Sequence, residues 1–295
     1  MAHAFQGAQV ARDPVLRATY LAGRVDGVPL FRASESNSDR ALEWEPRWTV
    51  GSGRVAFTFL SERNEEFVES RLSYYPPHAK WGWTPGQHEL VRNRPVVGRA
   101  LSNSEAKECF LCHSTLLSLR QDRPSLKTSL VGIGCERCHG PGREHMEAAR
   151  RSKRPGLIYR FRGTRADRVL ELCARCHRGP GALPAKGIET NPQLARFQGT
   201  AMALSACYTR SGGRLTCTTC HNPHGEVSTS RTSYETTCRN CHTGSDPTAP
   251  ACSVNPRNGC VDCHMPTRSL GEPMNLKFRM HWIRVYRTRP GASAE

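Results

Sequence analysis

The chain has 295 residues, 37% hydrophobic and only 7% aromatic, with a formal net charge of +16. That length allows one large domain or two modest ones. No run of 18 apolar residues occurs, which excludes a transmembrane helix, and no charged segment followed by an apolar one opens the chain, so no signal peptide is expected within it. Gly and Pro number 25 and 20, a content that points to much loop. A low apolar fraction beside 14 Cys predicts a fold held by something other than side-chain packing alone.

Residues 1–100 contain no cysteine at all. Trp48-Thr-Val and Arg54-Val-Ala-Phe-Thr-Phe-Leu60 read as strands around a glycine turn, and Phe67 to Tyr75 as another, after a turn at Asn64-Glu65-Glu66. A small β-rich N-terminal region without cofactor is expected there. Residues 101–295 read as a second, mostly irregular and helical domain. Ser102–Gln121, Gly142–Ser152, Arg165–Arg178 and Thr232–Cys241 are predicted as short helices, with loops at 179–187 and 243–259.

This second region carries an ordered set of motifs: Cys109-Phe-Leu-Cys112-His113, Cys135-Glu-Arg-Cys138-His139, Cys173-Ala-Arg-Cys176-His177, Cys217-Thr-Thr-Cys220-His221, Cys238-Arg-Asn-Cys241-His242 and Cys260-Val-Asp-Cys263-His264. Zinc ribbons and thioredoxin-like pairs also use CxxC, but neither requires His next. His is 12 of the 295 residues, so its recurrence after all six pairs by chance is below about one in 10⁸. CxxCH is the attachment motif for haem c, in which two thiols add to the vinyl groups and the following His ligates the iron. Six covalently attached haems are therefore expected. Their twelve propionates would bring the charge of +16 toward about +4, with many Arg paired to propionates. That argues against nucleic acid as a partner.

The motifs occupy 156 residues from Cys109 to His264, about 26 per haem, too few for a separate polypeptide core around each. The haems are expected to stack and supply the core themselves. Covalent haem also implies export, to the periplasm or beyond the cell. In such an oxidising compartment the two remaining cysteines, Cys207 and Cys252, are expected to pair, a bridge that would stabilise by roughly 4 kcal/mol.

Six His lie outside the motifs: His3, His78, His88, His145, His224 and His281. A second His on an iron gives a six-coordinate centre suited to electron transfer, because no coordination position stays open. His145 follows a Gly-Pro-Gly turn after His139; His281 follows the last motif. His224 sits three residues after His221, too close to fold back onto the same iron, so it should cap a neighbouring one. Met202 is a weaker alternative ligand, better read as packing.

Val50-Gly-Ser-Gly, Gly132-Ile-Gly-Cys-Glu-Arg-Cys-His-Gly-Pro-Gly, Leu215-Thr-Cys-Thr-Thr-Cys-His-Asn-Pro-His-Gly and Val254-Asn-Pro-Arg-Asn-Gly-Cys-Val-Asp-Cys-His-Met-Pro resemble exported multihaem cytochromes of the doubled-CXXCH kind, related to the tetrahaem cytochrome and hydroxylamine oxidoreductase lineage. The resemblance spans most of residues 48–285. It implies bis-His haems in close-packed parallel and perpendicular pairs, an electron-transfer role, and His145, His224 and His281 as distal ligands. Two departures stand out. Relatives often carry His where this chain has Asn275, and Met1-Ala-His3-Ala-Phe5 resembles the segment that follows a further CxxCH. The leading expectation is a hexahaem electron carrier with redox partner proteins. The alternatives are a reductase of a small nitrogen or sulfur oxyanion at one open haem, and a self-associating extracellular cytochrome filament. No CxxCK motif is present.

Overall fold

The computed structural model describes residues 4–14, 16–35, 41–87, 95–151, 158–180, 197–245, 249–269 and 276–286. His3, His88 and Asn275 lie outside the described residues. The chain forms two compact units, divided between Arg137 and Cys138.

The first unit holds two antiparallel sheets. One is a meander of β1 (Ala8–Asp13), β2 (Ala18–Val25), β3 (Val28–Glu35) and β4 (Ala41–Trp44). Its tightest turn is Asp26-Gly27, where Val25 pairs directly with Val28 and both turn residues have positive φ. This is the mirror-image turn whose twist matches that of the flanking strands. Sequence reasoning missed this sheet. The second sheet comprises β5 (Trp48–Val50), β6 (Phe57–Arg63), β7 (Glu66–Tyr75), β8 (Lys80–Trp83) and β9 (Gly98–Leu101). A like turn at Asn64-Glu65 joins β6 to β7, and β8 and β9 share the far edge of β7.

Alternation in β2 and β3 buries Tyr20, Phe31 and Ala33. They meet Phe5, Phe59 and Trp81 in an aromatic cluster, with Phe31 5.2 Å from Phe5, 5.5 Å from Phe59 and 5.3 Å from Trp81. Such edge-on and tilted ring pairs each add about 0.5–1.5 kcal/mol beyond area burial. Arg71 and Asp13 form a fully buried ion pair at 2.7 Å. Burial pushes the Tyr75 hydroxyl up to about 12.

A second cluster, Leu60, Phe67, Leu101, Ala106 and Phe110, joins this β-rich region to helix α1 (Asn103–His113). The boundary expected at residue 100 therefore does not separate compact units: the first CxxCH helix packs on the β core through Phe110. Ser102 caps α1, its hydroxyl accepting from Glu105 N while the Glu105 carboxylate accepts from Ser102 N. Hydrogen bonds from Ser102, its backbone N–H first, and from Arg99 hold the Glu105 carboxyl down at about 2. The helix expected to run to Gln121 stops at His113, whose carbonyl accepts from Gly132 N at 2.8 Å instead of from a further helical turn. The chain continues as β10 (Ser114–Leu116), paired with β13 (Leu130–Val131), and the small hairpin of β11 (Leu119–Arg120) and β12 (Arg123–Pro124).

The division of the chain falls within α2 (Glu136–His139). The second unit contains α3 (Arg143–Arg150), α4 (Ala166–His177), α5 (Gln198–Ala203), α6 (Ala206–Arg210), α7 (Cys217–Cys220), α8 (Arg231–Arg239), α9 (Cys260–His264) and a hairpin of β14 (Thr267–Ser269) and β15 (Lys277–Arg279). Three of the helices expected from sequence are α3, α4 and α8. Among the described residues of this unit, the buried apolar side chains are Ala166, Val169, Leu170, Ala201, Met202, Ala249, Val261 and Met280. None is aromatic. No described helix is long and apolar enough to cross a membrane.

Candidate haem sites

Every described CxxCH motif begins on a helical turn. Cys109–His113 ends α1, Cys173–His177 ends α4, Cys260–His264 forms α9, and Cys217–Cys220 forms α7 with His221 next. On a helix, residues three and four apart share a face. In α1, α4 and α9, which contain a whole motif, the two sulfurs and the His ring are thus offered from one side, as a haem bound through two thioethers and one imidazole requires. The motif cysteines form no disulfides and are half-buried or exposed. Exposed apolar side chains gather just after the first motif, at Leu116, Leu119, Leu130, Val131 and Ile133.

The imidazoles carry a further signature. His139 Nδ1 lies 2.7 Å from the Tyr159 carbonyl, His242 Nδ1 2.9 Å from that of Pro250, and His264 Nδ1 3.0 Å from that of Arg284. His177 Nδ1 is 2.9 Å from Gln198 Oε1. A carbonyl can only accept, so each Nδ1 is the protonated nitrogen and Nε2 keeps its lone pair. Metal-ligating histidines are oriented in this way.

The bracing of His177 extends into α5. Thr200 Oγ1 donates to the Gly179 carbonyl at 2.7 Å. A Cβ on Gly199 would lie 2.1 Å from the Arg178 carbonyl, so only glycine allows α5 to lie against the backbone that follows the motif.

Two ring pairs bring motif and non-motif histidines together. The His139 and His224 ring centres are 5.8 Å apart with planes 13° from parallel; those of His221 and His281 are 6.1 Å apart and tilted by 35°. Both separations fall within the range of ordinary ring packing. They also match two imidazoles on opposite sides of one metal ion: two metal–nitrogen bonds of about 2 Å plus roughly 1.1 Å from each nitrogen to its ring centre give about 6 Å. His224 is placed by an Asx turn, the Asn222 side-chain Oδ1 accepting from His224 N at 3.0 Å. His281 Nδ1 donates to the Arg279 carbonyl at 3.0 Å. Burial pushes the His281 imidazole down to about 4, and burial also lowers His221 and His113. All three are neutral near pH 7, the form that binds metal.

The remaining expected ligands are less constrained. The His145 ring is half-buried, with Nδ1 enclosed and without a hydrogen-bond partner. His78 is exposed in the single 3₁₀ turn Pro76–His78. Met202 is buried in α5, in accord with packing. The expected Cys207–Cys252 disulfide is absent, and both are free thiols. Cys207 lies on α6 against His242, whereas Cys252 accepts from Asn255 N in its own loop. The partners that orient the rings were invisible in the sequence, because most are backbone carbonyls brought close by loops.

The family model for cytochrome c554 and c-prime matches residues 81–140, which include the first two motifs. This likeness supports a multihaem c-type cytochrome. A multihaem cytochrome named MtrA from Shewanella baltica (strain OS185) is 23% identical over 208 residues, covering 56% of this chain and 61% of the relative. The chain thus spans less than two thirds of that relative's length. No solved structure matches it. Together these likenesses support covalently bound haem c and electron transport.

Proposed function

We propose that this cytochrome is an exported hexahaem electron carrier, in which irons held mostly by two imidazoles pass electrons along a chain of closely packed haems. The observation that carries this reading is the pair of ring separations near 6 Å, each joining a motif His to a His that the sequence already marks as a distal ligand. Haem c supplies the chemistry, a ferric–ferrous couple that takes and gives one electron.

The polypeptide holds and tunes that couple. His139 with His224, and His221 with His281, would each hold an iron as an imidazole pair, which suits electron transfer. The Nδ1–H bonds to Tyr159, Pro250, Arg284 and Arg279 carbonyls keep each ring in one tautomer and make it a stronger donor to iron. Imidazole pairs lack the thioether that raises cytochrome potentials, so most potentials should be low. Haem packed among the second unit's helical turns would supply the apolar surface that its described residues lack. Arg268 Nε, enclosed without a partner, is a donor of the kind a propionate would satisfy. The redox partners are proteins met outside the cytoplasm, docking on charged surface, so transfer rates should depend on salt.

The test combines mass and spin state. Intact mass of the mature protein should show six haem additions, and five or fewer would overturn the count. Replacing His224 or His281 with Ala should turn one iron high-spin in each variant and leave the others unchanged. An unmoved spectrum in both would overturn the ligand assignment.

A further inference from the structure

Cys207 belongs to no attachment motif, and the structure assigns it a role: we propose that its sulfur is the axial ligand opposite His242, giving one haem a thiolate–imidazole pair. This inference rests on the hexahaem reading above and adds to it a haem of a second ligand class.

The cysteine does not stand alone. His242 belongs to the fifth motif, and its Nδ1 is committed to the Pro250 carbonyl at 2.9 Å, so Nε2 carries the free lone pair. Cys207 Sγ faces that nitrogen at 4.0 Å. A nitrogen and a sulfur on opposite sides of one metal, with bonds of about 2.0 and 2.3 Å, stand about 4.3 Å apart, whereas a useful hydrogen bond would be markedly shorter. Cys207 also lies within electrostatic range of Cys238 and Cys241, the two thiols that would tether this same haem, and of Cys220 in the fourth motif. Among the described residues, no His ring pairs with His242 as His224 does with His139.

The position of Cys207 is built rather than incidental. It is the second residue of α6, whose start is pinned by fully buried Ser205. The Ser205 hydroxyl donates to the His281 carbonyl at 2.9 Å and accepts from Ile283 N at 2.8 Å. The segment that carries one distal histidine therefore fixes the helix that carries the cysteine. On coordination, the Sγ–H bond breaks, the proton leaves to solvent and sulfur donates an electron pair to ferric iron; no electron is transferred. The anionic ligand stabilises the ferric state, so this haem should have a lower potential than its bis-imidazole neighbours.

The experiment is low-temperature electron paramagnetic resonance of the oxidised full-length holoprotein, with intact mass on the same sample. The wild type should show one low-spin signal with the compressed g-spread of thiolate ligation among broader bis-imidazole signals. In Cys207→Ala that signal should vanish. In Cys207→His it should be replaced by a bis-imidazole signal, with the lowest potential shifted upward. Six haems with no thiolate signal in the wild type would overturn the proposal while leaving the hexahaem reading intact, and this arm does not depend on either variant folding. A Cys207–Cys252 bridge found by peptide mapping would overturn it too. A mass showing the fifth motif without haem would overturn both readings.

Discussion

The two compact units solve the same problem with different materials. The first buries Phe5, Tyr20, Phe31, Phe59 and Phe67 among paired strands, so its polypeptide supplies its own interior. The second has buried aliphatic residues but no buried aromatic among its described residues, and its described helices run from four to twelve residues. Burial of apolar surface is the dominant favourable term in folding. A unit of this size with so little side-chain burial among its described residues must gain it elsewhere, and haem held by the motifs it carries is the source we propose. The comparison teaches that a weak apolar fraction averaged over a chain can conceal one ordinary core beside a unit whose described residues bury little.

The contrast is sharpest when haem is withheld. Chain produced without haem attachment should keep the β-rich unit and lose the second. Limited proteolysis with mass mapping should leave a protected fragment ending near Arg137, and near-ultraviolet circular dichroism should retain the aromatic-cluster signal. Protection of the chain beyond Cys138 without haem would break the comparison.

The reverse perturbation is Phe31→Ala. Removing a ring from the centre of the aromatic cluster should cost about 3–5 kcal/mol, read as a lower denaturation midpoint of the first unit. Haem absorption from motifs in the second unit should stay at wild-type values at temperatures where that unit remains folded.

A smaller effect is expected from Gly199→Ala. The added Cβ would meet the Arg178 carbonyl at 2.1 Å, so α5 must shift, with a cost of about 1–3 kcal/mol. Because Gln198 orients His177, the spectrum or potential of the third-motif haem should change, whereas an equally destabilising change in the β core should leave it alone.

The smallest effect belongs to the cap of α1. Ser102→Ala should cost about 1 kcal/mol, measured by denaturant unfolding. Glu105 is held at about 2, below its ordinary value of 4.5, so its contribution is present above that ordinary value and lost as pH falls toward 2. The stability gap between wild type and Ser102→Ala should therefore narrow across that acid range.

Legibility in the sequence followed the physics of each unit. CxxCH is a local signature because both thiols and the imidazole must come from one helical turn, so the motifs could be read directly. The Asn-Pro-His224 turn was equally local, and its geometry kept His224 off its own iron. Strands β6 and β7 were readable from their alternation and the Asn64 turn. The meander of β1 to β4 was not, because small residues such as Ala18, Ala22 and Ala33 fill its inward face and weaken the alternation. The end of α1 at His113 depended on Gly132, nineteen residues on. Cys207 looked like half of a disulfide, since only the fold brings α6 to His242.

The central claim is that electrons pass through this protein and are not consumed at an open iron. Stopped-flow reoxidation of the fully reduced holoprotein tests it most directly, with nitrite, hydroxylamine or tetrathionate in one arm and an oxidised soluble redox protein in the other. The account predicts that the redox protein withdraws electrons from all the haems at a salt-dependent rate while the small oxidants leave the spectrum unchanged. Fast, saturable reoxidation by any of the three would contradict it.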